Sequence, residues 1–504
     1  MNFTIKTIGC KVNTYESMKI KDELCKLGFN YIDVEEKEKY SELDFYIVNT
    51  CSVTKIADKK SRQMLHLAKK YNPQVKVIAI GCMVDSLTVD NKRENNNAAH
   101  IVRGDDAGAS NIVGAKHCEP SLAGVDYVIP NKEKSHLTEL LSSFLGLDNA
   151  THIVRGDENK SDTAGVDANN SRIRAFIKIQ DGCNQYCTYC IIPFLRGNIK
   201  SRDNDDILSE IKEKVKSGVK EIVLTGIHLS SFGLDRVNKT YESDGAIYIA
   251  RKELLNIMSQ IAEIDGIERI RLGSLEPRII DDYFLNCLLG TNAAHIVRGD
   301  NVGTDAAHTV RGDGVGASNI VGAKHCEPEV VRASCASPLS TKFCANFCLS
   351  LQSGCDKTLK RMNRHYTTSE YEKACKLIRE YIPYATITTD VIVGFPGETE
   401  DDFNASLEFV KRMRFYNPNI FPYSRRQGTK ADLMPDQLTN DEKHKRSILM
   451  ISECEKISKE IEKEYFEKYS DRAKDVLIEE YVEEDGKKYG IGYTKEYIKC
   501  KFLI

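Results

Sequence analysis

Three cysteines, Cys183, Cys187 and Cys190, stand in a C-x3-C-x2-C run within KIQDGCNQYCTYC. Three thiolates on one short loop can each take one iron of a cubane cluster. An electron-transfer cluster takes four cysteines; three leave one iron with an open position, as a catalytic metal requires. The run directly follows the strand-like stretch AFIKI, and barrel enzymes place their chemistry at the C-terminal ends of strands. A zinc site pairs two C-x2-C units at longer separation, and no second unit lies nearby. Three more cysteines share one local context: Cys10 in TIGCKVN, Cys51 in VNTCSVT and Cys82 in AIGCMVD, each closing a strand-like run. Parallel strands of one sheet bring such ends together in a crevice, so three distant thiolates can converge there. The competing reading is three ordinary buried thiols.

The elements that must position these residues alternate regularly. FTIKTIG, DFYIVNT and VKVIAIG are strand-like, and TYESMKIKDELCKLGF and KKSRQMLHLAKKY between them have helical periodicity. That β-α-β-α-β order predicts a parallel sheet. From about Ile173 to Arg425, six strand candidates (AFIKI, EIVLTG, ERIRLGS, FCLSLQ, ITTDVIVG and NIFPYS) alternate with helical segments. The fold class is therefore α/β, with a partial (β/α)6 barrel of the TIM type. Asp441 to Lys468 reads as a charged amphipathic helix, and the short runs from about Asp471 (DVLIEEYV, KYGIGYT, YIKCKFLI) predict a small β unit.

A chain of 504 residues suggests two or three domains. A net charge of -3 gives no global basic field, so a nucleic acid would be held by local patches. The N-terminus MNFTIKTIGCKVN has no apolar run suited to a signal peptide. No stretch approaches the roughly 18 apolar residues of a membrane span. The expectation is a cytoplasmic protein whose 17 cysteines serve metal or redox chemistry rather than disulfides. Repeats interrupt the plan: HIVRGD from His100 recurs from His152 and His295, with HTVRGD from His308, and GASNIVGAKHCEP occurs from Gly108 and from Gly316. Their scatter excludes a solenoid, and their Gly, Ala, Asn and Asp content reads as inserted surface loops. The pairs His117-Cys118 and His325-Cys326 belong to the copied segment and lack the further ligands of a metal site.

Taken in order, GCKVN, NTCSVT, GCMVD, the C-x3-C-x2-C loop and Gly394-Phe-Pro-Gly-Glu-Thr399 resemble the radical S-adenosylmethionine (SAM) methylthiotransferases. Within that family, KIQDGCNQYCTYCIIPFLRG, RLGSLEPR and FPYSRRQGTKA are most similar to the transfer-RNA threonylcarbamoyladenosine methylthiotransferases. The resemblance implies an N-terminal methylthiotransferase domain over 1–148 with an insert at about 95–120, and an inserted linker over 149–170. A radical SAM barrel over 171–432 with an insert at about 291–337 follows, then a helical connector over 433–470 and a TRAM-like RNA-binding unit over 471–504. That last unit is short for a complete RNA-binding β-barrel. The resemblance further implies two 4Fe-4S clusters, one on Cys10, Cys51 and Cys82 and one on Cys183, Cys187 and Cys190. The second would coordinate SAM, which would serve as radical source and as methyl donor. The implied reaction adds a methylthio group to C2 of threonylcarbamoyladenosine beside the tRNA anticodon. The implied partners are tRNA, an electron donor such as flavodoxin or ferredoxin, and a sulfur donor, with no membrane. Alternatives are isopentenyladenosine in tRNA, a ribosomal-protein aspartate, or a non-catalytic RNA-binding variant impaired by its inserts. Asn419 and Cys348 stand where related sequences often carry histidine.

Other residues at strand ends are candidates for the cofactor. Tyr189 offers a ring to the adenine. Thr225 and Gly226 end the second barrel strand, Ser274 and Glu276 the third, and Gln352 and Ser353 the fourth. Gly394 and Gly397 let backbone approach the cofactor, and Glu398 caps the helix that follows. For RNA, Lys357, Lys360, Arg361 and Arg364 form one basic cluster, and Arg425, Arg426 and Lys430, near Tyr423, form another.

Overall fold

The structure is a computed structural model that describes residues 1–34, 36–86, 124–144, 173–237, 244–291 and 338–504. The repeats, both His–Cys pairs and nearly all of the expected inserts lie outside these residues. Among the described residues no helix is long and apolar enough to cross a membrane.

The N-terminal unit is a five-stranded parallel sheet in the order β2-β1-β3-β4-β5. Its strands are β1 (Asn2–Thr7), β2 (Asn30–Tyr31), β3 (Phe45–Thr50), β4 (Lys76–Gly81) and β5 (Tyr127–Ile129). Its helices are α1 (Lys11–Lys26), α2 (Lys55–Tyr71) and α3 (Leu137–Phe144). The period-2 alternation of strands divides the buried residues between two faces. Ile5, Ile47 and Ile78 pack on Ile20 and Leu24 of α1 and Leu141 of α3. Tyr46, Val48 and Val77 pack on Leu65 and Ala68 of α2. Apolar residues on both faces explain why DFYIVNT reads as a continuous apolar run. The expected three strands are present, and the sheet adds short edges at β2 and β5.

All six expected barrel strands form. β6 (Arg174–Asp181), β8 (Glu221–Gly226) and β9 (Arg269–Leu272) pair in parallel, with β7 (Lys200–Ser201) antiparallel at the edge of β6. β10 (Ser274–Leu275), β11 (Asn346–Leu349) and β12 (Thr386–Thr388) form a second parallel set, and β13 (Asp390–Val393) pairs with β14 (Asn419–Pro422). Parallel bridges Ile270–Phe343 and Gln352–Val391 join the sets. Two expected strands are interrupted, at Gly273 and at Thr389. At the second break the Thr389 hydroxyl accepts from Leu351 N at 3.0 Å and donates to Leu349 O at 2.5 Å, replacing ladder bonds. The crossovers carry α4 (Ile192–Arg196), α5 (Asn204–Lys216), α6 (Asp244–Ala262), α7 (Asp282–Leu289), α8 (Pro338–Lys342), α9 (Asp356–Arg361), α10 (Thr368–Tyr381) and α11 (Glu400–Met413). Thr367 with Glu370 and Thr399 with Asp402 make reciprocal capping boxes at the starts of α10 and α11. One continuous apolar core joins the strands to α5 through α11.

The long α12 (Asn440–Lys468) leads to an antiparallel sheet of β15 (Leu477–Glu484), β16 (Lys487–Tyr493) and β17 (Lys499–Leu503). This sheet docks on the N-terminal ends of the barrel strands, opposite the cysteine loop. Glu221, fully buried at the start of β8, accepts from Arg174 at 2.8 Å and Arg271 at 2.9 Å. Arg269 donates to Tyr493 O at 2.6 Å and to Asp475 at 2.8 Å. Tyr497 stacks on Tyr493, and the Arg271 guanidinium lies 4.5 Å from the Tyr497 ring. Burial pushes the Glu221 carboxyl up, but the Arg271 and Arg174 guanidinia outweigh it and hold the group below the usual carboxylate range.

Candidate functional site

Cys10, Cys51 and Cys82 follow the C-terminal ends of the adjacent strands β1, β3 and β4. The register sets Thr50 beside Gly81, so Cys51 and Cys82 emerge side by side. Cys10 is exposed; Cys51 and Cys82 are buried. Gly9, at φ +112°, brings the Cys10 turn against Cys51: a Cβ there would sit 2.7 Å from the Cys51 sulfur. Burial pushes the Cys51 thiol up to about 11, and Cys82 and Cys10 add to the shift. Asn13 ties the turn down, donating to Ile8 O at 2.8 Å and Thr50 O at 2.9 Å.

The second triad sits on the loop after β6. Gly182, at φ +66°, starts it, and the Cys183 N–H donates to Gly197 O at 3.1 Å. The Cys190 N–H donates to Cys187 O at 2.9 Å, closing a tight turn between the second and third cysteines. Thr188 anchors the loop on the end of α9 through Met362 O at 3.0 Å and Arg361 O at 2.8 Å. Burial pushes the Cys183 thiol up to about 11 and raises Cys190 further, with Cys187 adding to both. Bound iron is the kind of charge that offsets such crowding of thiolates. Among the described residues no three side chains stand close enough to share a single ion. A cubane asks for wider spacing, because each thiolate takes its own iron. In donor type and in mutual influence both triads fit that group.

The N-terminal unit and the barrel meet across a seam beside both triads. Cys82 of the N-terminal unit packs with Ile191 and Leu195, just after Cys190. Barrel residues also reach the Cys51 loop: Ser424 accepts from Lys55 N at 2.8 Å and Arg426 donates to Val53 O at 3.3 Å. Beside the seam lies a cleft of about 580 Å³, bordered by Ser52 and Ile191. Its walls carry Lys55, Lys59, Arg62 and His66 of α2, facing Arg425 and Arg426. Asp58 pairs with Arg62 at 3.5 Å and Asp432 with Arg425 at 2.5 Å, which leaves a smaller positive excess than the count suggests.

The remaining expected residues divide. Tyr189, inside the cysteine loop, meets Phe395 edge-on at 6.4 Å beside Met362 and Tyr423. Thr225 is buried at the end of β8, and Gly226 accommodates the Gln180 side chain, which a Cβ would approach to 2.9 Å, rather than open space. Ser274 pairs with Cys348 at 3.3 Å, and Glu276 accepts from Arg278 at 2.7 Å. Gln352, at φ +68°, bonds through its backbone to Asp390 and Ile392, while the buried Ser353 hydroxyl accepts from Cys355 N. Gly394 gives way to Lys443 of α12, whose Cγ a Cβ would approach to 2.5 Å, whereas Gly397 has only the Arg361 side chain beyond 3.7 Å. Glu398 does not cap α11. Its carboxylate accepts from Gly394 N at 2.8 Å and Arg446 at 2.6 Å, and Thr399 is the cap. Asn419, in a histidine's place, donates to Asp390 at 3.0 Å.

The RNA candidates also divide. Lys357, Lys360 and Lys430 are exposed, and Arg361 pairs with Asp402 at 3.1 Å. Arg364 needs correcting. Its guanidinium turns inward, donating to the Cys187 sulfur at 3.2 Å and lying 4.8 Å from the Tyr366 ring. It therefore serves the cysteine loop instead of a phosphate surface. Sequence reading gave no signal for Lys55, Lys59 or Arg62, because an amphipathic helix carries such residues on any solvated face.

The pattern of the uncharacterized protein family UPF0004 matches residues 2–103, and that of the radical SAM superfamily matches 177–288 and 323–410. The gap between the last two falls on the repeat-rich segment. The chain is 28% identical over 502 residues to a threonylcarbamoyladenosine tRNA methylthiotransferase, MtaB, of Bacillus subtilis, covering 98% of this chain and 89% of that one. It is 32% identical over 481 residues to a tRNA-2-methylthio-N(6)-dimethylallyladenosine synthase of Clostridium tetani, covering 95% and 85%. Among solved structures, the radical SAM methyltransferase TsrM of Kitasatospora setae aligns with a TM-score of 0.48 at 13% identity, over 85% of this chain and 76% of that one. With both triads at strand ends and this extent of likeness, the chain belongs to the radical SAM methylthiotransferases.

Proposed function

We propose that this enzyme adds a methylthio group to C2 of threonylcarbamoyladenosine beside the anticodon of tRNA, using a four-iron cluster on each cysteine triad. The observation that carries this reading is the seam, where Cys82 packs against Ile191 and Leu195 beside Cys190. When bound, the barrel cluster supplies the electron that cleaves SAM, and the N-terminal cluster supplies sulfur. Cys183, Cys187 and Cys190 hold the first, and Cys10, Cys51 and Cys82 the second. Arg364 screens the thiolate of Cys187 through a charge-assisted bond. Tyr189 gives the adenine an apolar face, and Thr225, Ser274, Glu276, Gln352 and Ser353 line the strand ends around it. Packing of the N-terminal unit on the barrel excludes water from the reacting atoms.

The basic cleft supports an RNA substrate, since phosphates are held by such local clusters. Lys357, Lys360, Arg361 and Lys430 would extend the contact around the rim, with Arg425 and Arg426 in the cleft. The sheet of residues 471–504 would add a further RNA surface. Flavodoxin or ferredoxin would supply electrons, and a sulfur donor would renew the N-terminal cluster. A second substrate, dimethylallyladenosine in tRNA, is favoured by the 32% identity to the Clostridium tetani enzyme.

The test is anaerobic reconstitution followed by iron counting and incubation with SAM, reductant and tRNA bearing either adenosine. Mass spectrometry of the digested nucleosides is expected to show methylthio-threonylcarbamoyladenosine. Product from the dimethylallyl substrate alone would transfer the assignment to the second reading. Iron loading and SAM cleavage without either product would sink both.

A further inference from the structure

One side chain bonds to residues that hold both cysteine turns. Arg196 ends α4, six residues after Cys190, and its side chain is only 3% exposed. It donates to Glu16 of α1 at 2.9 and 3.3 Å and to Asn13 at 3.0 Å. Asn13 and Glu16 lie in the first two turns after Cys10, and Asn13 fixes the Cys10 turn to Thr50, the residue before Cys51. The same guanidinium donates to both oxygens of Asp181 at 3.1 Å. Asp181 in turn accepts from the N–H of Gly182, the residue before Cys183, at 2.8 Å. The Arg196 Nε is buried without a hydrogen-bond partner, and its charge and the Cys82 sulfur lie within each other's field.

The surrounding charges have a definite balance. Glu16 also accepts from Lys134 at 2.7 Å and Lys178 at 2.9 Å, and Lys178 pairs with Asp181 at 2.9 Å. Three cations (Lys134, Lys178, Arg196) face three carboxylates, Glu16, Asp181 and Asp85, the last bonded to Asn131 beside Cys82, so the network is balanced only while the Arg196 charge is in place. A cluster on that triad becomes more negative on reduction. Nearby charge and hydrogen bonds to sulfur set how readily it does so.

We infer that Arg196 is a positioning residue that fixes the two triads relative to each other and, with its buried charge next in the chain to Leu195, which packs on Cys82, raises the reduction potential of the N-terminal cluster. The inference rests on the two-cluster reading above. It goes beyond that reading by assigning control of the sulfur-bearing cluster to a residue of the barrel loop. Arginine suits the task because one planar fork holds three acceptors from two folding units while its charge cannot be lost.

The test uses the full-length chain carrying Cys183→Ala, Cys187→Ala and Cys190→Ala, so that only the N-terminal site loads. Iron is counted first, and the midpoint potential is then read by an EPR-monitored redox titration. Arg196→Gln is expected to lower the potential, shifting the reduction equilibrium about tenfold, or about 59 mV for one electron. Glu16→Gln, which removes a negative charge from the same network, is expected to raise it. Arg196→Lys restores the charge without the fork and is expected to recover most of the potential. Loosening of the seam alone would move both glutamine variants in the same direction, and that result overturns the inference. An Arg196→Gln protein with full iron and an unchanged potential overturns it equally. Should Arg196→Gln fail to load, Glu16→Gln decides: an upward shift supports the proposal, and no shift or a downward one overturns it. A parent protein without iron at the N-terminal site overturns the two-cluster reading itself, and is recognised before any potential is measured.

Discussion

Replacing Gly182 with alanine should cripple the radical-generating loop, and the structure gives the size of the effect. Gly182 sits at φ +66°, where an L side chain costs about 1–2 kcal/mol. An added Cβ would lie 1.9 Å from Asn198 O. A comfortable C···O contact is about 3.3 Å, so the backbone must give by about 1.4 Å. The overpacking adds about 1–3 kcal/mol. The loop has little room to yield, because Gln180 donates to Gly182 O at 2.7 Å and Asp181 holds Gly182 N at 2.8 Å. The displacement passes directly to Cys183. A misplacement of about 1 Å can cost about 100-fold in rate. Gly197 supplies the control: it has φ +74°, but nothing lies within 4 Å of where its Cβ would be. Gly197→Ala should bear only the conformational cost of φ +74° and ψ −160°, about 1–3 kcal/mol, without the steric clash, and should retain more SAM cleavage than Gly182→Ala. Both variants would be assayed for iron content, thermal midpoint and the rate of 5′-deoxyadenosine formation. A Gly182→Ala enzyme with full iron and near wild-type cleavage would refute the steric reasoning, as would equal damage from both substitutions.

Glu221→Ala should cost about 3–5 kcal/mol, because it strips the buried anion from Arg174, Arg271 and Arg269. The expected readout is a lower melting point with earlier proteolytic release of the C-terminal sheet; an unchanged melt contradicts the role given to the network. Since the folded Glu221 carboxyl lies below its unfolded value of about 4.3, its stabilisation is complete above that pH and fades as pH falls through the lower folded value. Denaturant titrations from neutral to acidic pH should therefore show an acid loss that Glu221→Gln lacks. Lys55→Ala combined with Lys59→Ala should weaken tRNA binding and reduce the slope of log affinity against log salt by about 2, measured by fluorescence anisotropy; an unaltered slope removes the cleft from the RNA path. Arg364→Gln should leave tRNA affinity intact while SAM cleavage falls about 10- to 100-fold, the worth of a hydrogen bond to a charged group; the reverse pattern would restore Arg364 to an RNA surface.

The strand-end cysteines were legible because each motif combines a run of β-branched residues with the turn that ends it, and both signals are local. All six barrel strands were legible for the same reason, though the breaks at Gly273 and Thr389 were not, since they depend on bonds such as Thr389 to Leu349 across the sheet. Tertiary pairing is what the sequence conceals. Arg364 lies among lysines and arginines in the chain, so it read as one of a phosphate-binding set, yet folding turns it onto Cys187. Glu398 precedes a helix and read as its cap, but Arg446, 48 residues later, claims it. Arg196 and Glu16 are 180 residues apart, and neither has a local context that announces the other. The location of the C-terminal sheet beneath the barrel was equally hidden, because its contacts run to arginines at the starts of distant strands.

That sheet imposes a timetable on synthesis. Arg174, in the first barrel strand, reaches Tyr497 across 323 residues. At about 5–20 residues per second on the ribosome, the arginine emerges roughly 15–65 s before that tyrosine exists. During the interval the underside of the barrel exposes the starts of its strands and a cluster of half-neutralised arginines. The barrel can collapse early, but its underside is covered only once the strands around Tyr497 have been made. A chain cut short before Tyr497 would thus be an unfinished barrel, with Arg174 still waiting for its partner.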